Sequence, residues 1–159
     1  MKKKFFIGLF LFAAAGLFIF AHIVLKQNDN YYQIQQNLNA PIEIPDASVK
    51  TIEEAEKIDK PVVALFYVDW CGYCRKFMPV FGKIASQYVK DYTFAAINCD
   101  NPAYSQMLKD FHIIGFPSVF VIDKKINHKF ILNTAVLSDE SLIKEELDSY
   151  LRVRKNILK

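Results

Sequence analysis

Residues 62–75 read VVALFYVDWCGYCR, and this stretch decides the fold. Its first half, Val62 to Val68, is a continuous apolar run rich in β-branched and aromatic residues, as in a strand covered on both faces of a parallel or mixed sheet. Apolar residues at helical spacing follow the two cysteines and predict a helix from Gly72 to about Tyr88, with a kink at Pro79. A buried strand therefore leads into a helix through a Cys-x-x-Cys pair.

Cys71 and Cys74 stand at the junction of this strand and this helix. The unpaired N–H groups and the dipole of a helix N-terminus stabilise an anion, which lowers the pKa of the first thiol and makes Cys71 the attacking nucleophile. The two-residue spacer brings Cys74 within bonding distance as the resolving thiol, so the pair forms a redox-active disulfide. We interpret Arg75, which follows directly, as a solvated helix cation.

A Cys-x-x-Cys pair is also half of a zinc site. A structural zinc site normally needs a second pair of Cys or His ligands, and the sequence has none at a suitable spacing. Cys99 lies in a predicted buried strand, so we interpret it as a small core residue in preference to a third redox centre or an intermolecular partner. His112 and His128 are assigned to surface or packing roles. We therefore expect neither a metal nor another cofactor.

The rest of the pattern predicts the order α, β, α, β, α, β, β, α, which implies a central sheet with helices on both sides. The predicted elements are a helix that begins at a capping box, Thr51 to Glu54, the strand Val62 to Val68, the helix Gly72 to Tyr88, the strand Thr93 to Cys99, a short helix opened by Asn101-Pro102, the strands Ser118 to Ile122 and Lys129 to Leu132, and a last helix from Ser138.

The N-terminal segment Phe5 to Leu25 carries no charge and follows three lysines. As a helix with a rise of about 1.5 Å per residue it reaches about 31 Å, which matches a hydrocarbon core of about 30 Å. A retained signal anchor and a signal peptide cleaved near residues 13–16 both fit this pattern. We favour the anchor, because cleavage there leaves Leu17 to Leu25 as an unexplained apolar N-terminus.

The positive charges in front of this segment predict its orientation. The predicted organisation is a cytoplasmic basic tail at 1–4, a transmembrane anchor at 5–25, a polar tether at 26–47 and a globular domain at 48–159. The tether contains Gln27 to Asn39, which shows no sustained helical pattern. We expect a single-pass protein of the inner (cytoplasmic) membrane whose domain faces the periplasm or another extracytoplasmic space, or a secreted protein if the segment is cleaved.

The charge balance excludes one class of partner. The chain has 20 basic and 17 acidic residues, and removing the three N-terminal lysines leaves 17 of each. The predicted domain is therefore formally neutral and offers no basic face for nucleic acid. The partners that we expect are cysteine-containing exported proteins and an unidentified membrane redox partner that recharges the dithiol.

Three motifs carry a resemblance to a known family. The segment Asp69-Trp70-Cys71-Gly72-Tyr73-Cys74-Arg75-Lys76 resembles the active-site segment of thioredoxins. Pro79 falls where that family kinks its helix, and Gly115-Phe116-Pro117-Ser118 resembles the loop that carries its cis-proline. The resemblance covers roughly residues 48–151 and implies a thioredoxin fold, with a central mixed sheet and helices on both faces.

The same resemblance implies which residues shape the site. Pro117, in the cis form, is expected beside the dithiol, where the backbone around Phe116 pairs with an extended substrate segment. Gly72 and Tyr73 form the spacer, and Trp70 packs over the dithiol and presents a surface to partners. The Gly-Tyr spacer resembles that of bacterial periplasmic disulfide isomerases more than the Gly-Pro spacer of thioredoxins.

The sequence departs from the family at three positions. Leu65 stands where thioredoxins carry a buried Asp, and Ala96 stands where they carry a Lys. Their joint replacement is coherent, since one buried charge without the other is costly. It leaves Asp69 or water as candidates to deprotonate Cys74. Ala135 replaces a small-loop Gly that the family uses near bound substrate.

These features predict a membrane-anchored thiol:disulfide oxidoreductase that acts on cysteines of extracytoplasmic proteins. The direction of electron flow is open, because reductase, oxidase and isomerase share the same motif. The alternative is a tethered chaperone, assembly factor or copper-binding factor with the same fold and no turnover.

Overall fold

The computed structural model describes the backbone of residues 2–44, 46–133 and 136–159; side chains are described at these positions except 2–16, 37–39 and 136. The chain divides into two units, Met1–Ala40 and Pro41–Lys159.

The first unit is a single helix, α1, Lys2–Asn39. The polar stretch from Gln27 is therefore helical, although its sequence shows no sustained helical pattern. Once a helix is nucleated each added residue gains a hydrogen bond, and Gln is among the better helix formers. Among the described residues, no helix is both long enough and apolar enough to cross a membrane. The side chains of residues 5–16, the first part of the predicted anchor, lie outside that set.

A five-stranded mixed sheet forms the centre of the second unit, in the spatial order β1-β3-β2-β4-β5. The strands are β1 Val49–Lys50, β2 Val62–Tyr67, β3 Thr93–Asn98, β4 Ser118–Asp123 and β5 His128–Ile131. β3 pairs in parallel with β1 and β2, whereas β4 is antiparallel to β2 and β5. The expected mixed sheet is confirmed. β1 was not predicted, because two residues are too few to show an alternating pattern.

In the described part of this unit, four α-helices pack against the sheet: α2 Ile52–Ala55, α3 Gly72–Tyr88, α4 Ser105–Asp110 and α5 Glu140–Ile157. The capping box at the start of α2 is present, with reciprocal bonds between Thr51 and Glu54. This helix is one turn long, and after it the chain continues in turns, in which the Lys57 N–H donates to the Glu54 carbonyl and the Ile58 N–H donates to the Ala55 carbonyl. The N-cap of α5 is Asp139, which accepts from the Ser141 N–H, and not Ser138, which closes a 3-10 turn.

Alternate residues of β2 pack on opposite faces of the sheet. Val63 and Leu65 belong to a buried cluster that includes side chains of α3 and α5. Ala64 and Phe66 belong to a second cluster with α2, against which residues of α4 also pack. Every residue of β2 is buried, as the continuous apolar run predicts. Because each large apolar side chain contributes roughly 1.5–3 kcal/mol when fully buried, β2 is a rigid base for the turn that follows it.

Candidate active site

Cys71 and Cys74 form a disulfide at the beginning of α3, with their Cα atoms 5.2 Å apart. Cys71 is the N-cap residue of the helix, and its Sγ accepts a hydrogen bond from the Cys74 N–H at 3.1 Å. This places Cys71 sulfur where helix N–H groups and the helix dipole stabilise negative charge. In the reduced state the same position favours the thiolate of Cys71.

The two cysteines differ in their access to solvent. Cys71 is 7% exposed, whereas Cys74 is 0% exposed and packs within the larger core cluster. A thiol of another protein therefore reaches Cys71 alone. The burial assigns the outer, attacking role to Cys71 and the inner, resolving role to Cys74.

The loop before β4 lies against the dithiol. The peptide bond between Phe116 and Pro117 is cis, as the family resemblance implies. Cys71 Sγ is 3.6 Å from the Phe116 carbonyl oxygen. Ser118 Oγ donates to the Gly115 carbonyl at 2.8 Å and closes the loop at its base. The backbone of Phe116 is thus adjacent to the reactive sulfur, where an extended chain can pair with it.

Exposed apolar side chains surround Cys71. Trp70, Tyr73 and Ile114 are 61%, 78% and 101% exposed, respectively. Together with Phe116, whose ring lies 6.3 Å from that of Trp70, they line a surface cleft of about 350 Å³ that includes Gly72. Sequence reasoning singled out Trp70 and Tyr73 but missed Ile114, because a lone apolar residue in a loop carries no motif.

A second groove lies beside this cleft. It has a volume of about 500 Å³ and shares Tyr73 and Phe116 with the first. Pro117 and the α3 residues Lys76 and Val80 also line it. Tyr73 and Phe116 therefore line both depressions.

Asp69 is a structural residue of the site and not a free base. Its Oδ1 accepts from the Ile42 N–H and its Oδ2 accepts from Asn98 Nδ2, both at 2.8 Å. Its N–H donates to Asp100 at 2.8 Å, and its carbonyl accepts from the Arg75 guanidinium at 2.6 Å. Our interpretation of Arg75 as a solvated cation was therefore wrong, since its long side chain reaches back over the first helical turn to a loop carbonyl.

Trp70 is held by Asp100, which lies after the end of β3. Its indole Nε1 donates to Asp100 Oδ1 at 3.1 Å, so one carboxylate binds the backbone of Asp69 and the side chain of Trp70. The ring stays exposed while its polar edge is paired, an arrangement that leaves the apolar face for contact with a partner.

The positions of the missing charge pair lie next to each other. Leu65 in β2 and Ala96 in β3 are register partners, and Leu65 is 0% exposed. Both side chains are apolar, and neither has a group that can accept or release a proton. Ala135, the third departure, lies outside the described residues.

Cys99 carries a free thiol one residue beyond the end of β3, so its predicted place inside the strand was wrong. It packs against both core clusters and is half-buried. Burial raises the pKa of this thiol to about 11, with a smaller opposing effect from its hydrogen bond with Tyr67. Cys99 is therefore protonated and unreactive at neutral pH.

The histidines lie at the surface. His112 is exposed, with a φ of 52°, and His128 is exposed on β5 with its ring stacked on that of Tyr150 at 6.3 Å. No group of three potential metal ligands occurs in the part of the chain that the structure describes.

Comparisons with known proteins agree with this geometry. The family model for thioredoxin matches residues 47–145. Thioredoxin-like protein HCF164, chloroplastic, from Arabidopsis thaliana is 37% identical over 83 residues, 52% of this chain and 32% of that protein. Protein disulfide-isomerase A5 from Bos taurus is 28% identical over 69 residues, 43% of this chain and 13% of that protein. The chain thus spans about a third or less of these curated relatives.

Solved structures show the same fold at low sequence identity. The Trx4 domain of ERdj5 matches with a TM-score of 0.56 and 23% identity, over 69% of this chain and 99% of that chain. A thioredoxin from Thermus thermophilus matches with a TM-score of 0.54 and 15% identity, over 65% of this chain and 85% of that chain.

Proposed function

The chain belongs to the thioredoxin family, and from this premise we propose that it is a membrane-anchored thiol:disulfide oxidoreductase acting on cysteines of extracytoplasmic proteins. The observation that carries the proposal is the disulfide at the beginning of α3, in which Cys71 is reachable and Cys74 is buried. A dithiol of this kind exchanges electrons with another disulfide through a mixed-disulfide intermediate.

The exchange proceeds in two balanced steps. The Cys71 thiolate attacks one sulfur of a substrate disulfide; the new S–S bond forms as the substrate bond breaks, and one substrate sulfur leaves as a thiolate. Cys74 then loses its proton and attacks Cys71 Sγ, which releases the second substrate sulfur. The protein dithiol is oxidised by two electrons and the substrate disulfide is reduced to two thiols. The reverse sequence oxidises a substrate, and the difference in reduction potential sets the direction.

The proton of Cys74 leaves through water. Leu65 and Ala96 carry no proton acceptor, and both carboxylate oxygens of Asp69 already accept hydrogen bonds. Water is the acceptor that is left. Resolution of the mixed disulfide is then the slow step, since Cys74 is fully buried and burial disfavours its thiolate.

Substrates bind as extended chains around a cysteine. The backbone beside the cis bond of Phe116-Pro117 pairs with the substrate main chain, while Trp70, Gly72 and Tyr73 form the surface that receives its side chains. Exposed aromatic and aliphatic groups at this rim favour cysteines flanked by apolar residues, which exported proteins expose before they fold.

The N-terminal segment 5–25 anchors the protein in the inner membrane, with the lysines at 2–4 in the cytoplasm and the domain in the periplasm or another extracytoplasmic space. Sequence supports this location: the segment is uncharged, long enough to span a bilayer and preceded by basic residues. An oxidising compartment also suits a dithiol that acts on disulfides. A membrane redox partner recharges the dithiol after each turnover.

Trapping tests the proposal. Full-length Cys74→Ser protein, purified in detergent and incubated with disulfide-bonded exported proteins, is expected to accumulate a mixed disulfide at Cys71, because the resolving thiol is absent. Cys71→Ser protein is expected to trap nothing, and Cys99→Ser serves as the matched control with unchanged exchange. Disulfide exchange that persists in Cys71→Ser contradicts the proposal; tight substrate binding without exchange in the wild type supports the chaperone alternative instead.

A further inference from the structure

A short segment at the start of the second unit contacts the active-site turn. Residues 41–44, here called the strap, follow α1 in the chain and contain one buried residue, Ile42, between exposed neighbours. Ile42 is 8% exposed and belongs to the core cluster that includes Cys71 and Cys74. The strap is therefore part of the structure around the dithiol.

The strap is tied to the turn by its backbone. The Ile42 N–H donates to Asp69 Oδ1 at 2.8 Å, across 27 positions of sequence. The second carboxylate oxygen accepts from Asn98 at the end of β3. The Asp69 side chain thus connects the strap to the end of β3.

Asp69 occupies a central position of the turn that presents Cys71. The Cys71 N–H donates to the Val68 carbonyl at 3.1 Å, which closes a four-residue turn with Asp69 and Trp70 at its centre. The backbone of Asp69 is fixed on both sides, by Asp100 and by Arg75. The strap supplies a further restraint on the carboxylate, and so on the orientation of the turn.

We propose that Ile42 and Asp69 are positioning residues for Cys71: the hydrogen bond from the strap to Asp69 holds the turn so that Cys71 Sγ stays at the N-cap of α3. The inference rests on the proposed function, because it concerns the reactivity of the same thiol. Its physical basis is that the Cys74 N–H, 3.1 Å from Cys71 Sγ, stabilises the thiolate only while the turn keeps this geometry. A loosened strap therefore lowers the fraction of Cys71 that is present as thiolate.

Two substitutions at one position separate the backbone bond from apolar packing. Ile42→Pro removes the N–H and keeps an apolar side chain, whereas Ile42→Ala keeps the N–H and removes most of the side chain. The measurement is the rate of iodoacetamide labelling of Cys71 in the reduced full-length chain, read by mass spectrometry as a function of pH. We expect Ile42→Pro to slow labelling at neutral pH by about twofold to threefold, because a weaker hydrogen bond from the Cys74 N–H lowers the fraction of Cys71 that is present as thiolate. Ile42→Ala, which keeps the N–H, is expected to slow labelling less than Ile42→Pro does.

A double-mutant cycle tests the partner. In an Asp69→Ala background the acceptor is absent, so Ile42→Pro is expected to have no additional effect on the labelling rate. Glu43→Ala is the control for charge, because Glu43 is an exposed carboxylate of the same strap. Equal rates for Ile42→Pro and Ile42→Ala, or effects of Ile42→Pro and Asp69→Ala that simply add, overturn the inference.

Amide hydrogen exchange keeps the inference testable if Ile42→Pro fails to fold. The Ile42 amide is expected to exchange about tenfold faster in folded Asp69→Ala than in the wild type, and an unchanged rate overturns the inference. Failure of the proposed function has a different signature: the wild-type disulfide then does not equilibrate with glutathione. A wild type that equilibrates, with variants that label alike, overturns the positioning role alone.

Discussion

Two sites of the central sheet treat buried charge in opposite ways. Leu65 in β2 and Ala96 in β3 are apolar register partners, and both pack in the core cluster that includes Cys71 and Cys74. At the end of β4, Asp123 is 2% exposed and accepts hydrogen bonds from Tyr150 and Arg154 of α5. The register of β4 places Asp123 beyond Val62, away from Cys71. The domain therefore keeps a buried ion pair where it ties a helix to the sheet and has none at positions 65 and 96.

The difference has an energetic reason. A buried ion pair repays its desolvation only if its remaining hydrogen-bonding positions are filled. Asp123 meets this condition, because Oδ2 accepts from Tyr150 and Arg154 and Oδ1 accepts from the Lys125 N–H. A charged side chain at position 65 would have no such hydrogen-bond donors, because Leu65 packs in an apolar cluster. Stability and redox chemistry thus depend on different buried groups, and substitutions should separate them.

The largest expected effect follows from placing a lone charge at the buried position 65 in the middle of β2. Leu65→Asp is expected to lower the free energy of unfolding by about 3–5 kcal/mol, because the carboxylate is buried without a partner. Adding Ala96→Lys in the same chain should recover part of this loss, since the two positions are adjacent across β2 and β3. Urea unfolding followed by circular dichroism measures both effects.

Leu65→Asn is the control for shape and polarity without charge. If Leu65→Asp and Leu65→Asn unfold at the same urea concentration at neutral pH, the loss of stability comes from polarity or shape and not from the charge. If Ala96→Lys worsens Leu65→Asp, the two positions do not couple as the register implies.

The next effect concerns the buried ion pair of Asp123. Asp123→Asn is expected to cost about 3 kcal/mol of stability, because it leaves Arg154 without its buried partner. The equilibrium of the dithiol with glutathione should not change. Asp59→Asn is the matched control, because Asp59 pairs with Lys125 at 3.7 Å at the exposed surface. Its loss should cost about 1 kcal/mol or less. Equal losses in the two variants would show that the buried ion pair of Asp123 stabilises the domain no more than an exposed one.

The same residue predicts an acid dependence. Burial raises the pKa of Asp123, but hydrogen bonds from Arg154 and Tyr150 outweigh it and hold the pKa below its ordinary value. A carboxyl whose pKa is lowered by folding stabilises the protein above its unfolded pKa of about 3.9, and this contribution is lost as the pH falls through the folded value. The urea midpoint of the wild type should therefore fall more steeply below about pH 4 than that of Asp123→Asn, while Asp59→Asn keeps the wild-type slope.

The sequence predicted the parts of this molecule that rest on local pattern. The continuous apolar run of β2, the Cys-x-x-Cys pair and the helical spacing of α3 each depend on neighbouring residues, and the expected elements are present. The mixed sheet followed from their order. The polar end of α1 was missed because helix propagation, rather than an apolar stripe, sustains it.

Long-range contacts explain the other misses. The roles of Asp69 and Arg75 depend on a hydrogen bond across 27 positions and on a side chain that folds back on the loop. Neither contact can be predicted from a pattern of neighbouring residues in the sequence. Ile114 is fully exposed in a loop, and only the structure brings it beside Cys71. The sequence therefore identified the reacting sulfurs and missed part of the surface and the support around them.

The smallest expected effect tests that surface. Tyr73→Ala and Ile114→Ala should each lower kcat/KM for exchange with an unfolded disulfide-bonded protein by about fivefold, which corresponds to about 1 kcal/mol and is typical of a partly buried apolar contact. Ile131→Ala is the matched control, because Ile131 is 50% exposed on β5 and does not line the cleft. Exchange with glutathione, which is too small to cover the rim, should change in none of the three variants. If Tyr73→Ala and Ile114→Ala slow glutathione exchange as much as protein exchange, these side chains act on Cys71 itself, and the rim is not a surface for the substrate chain.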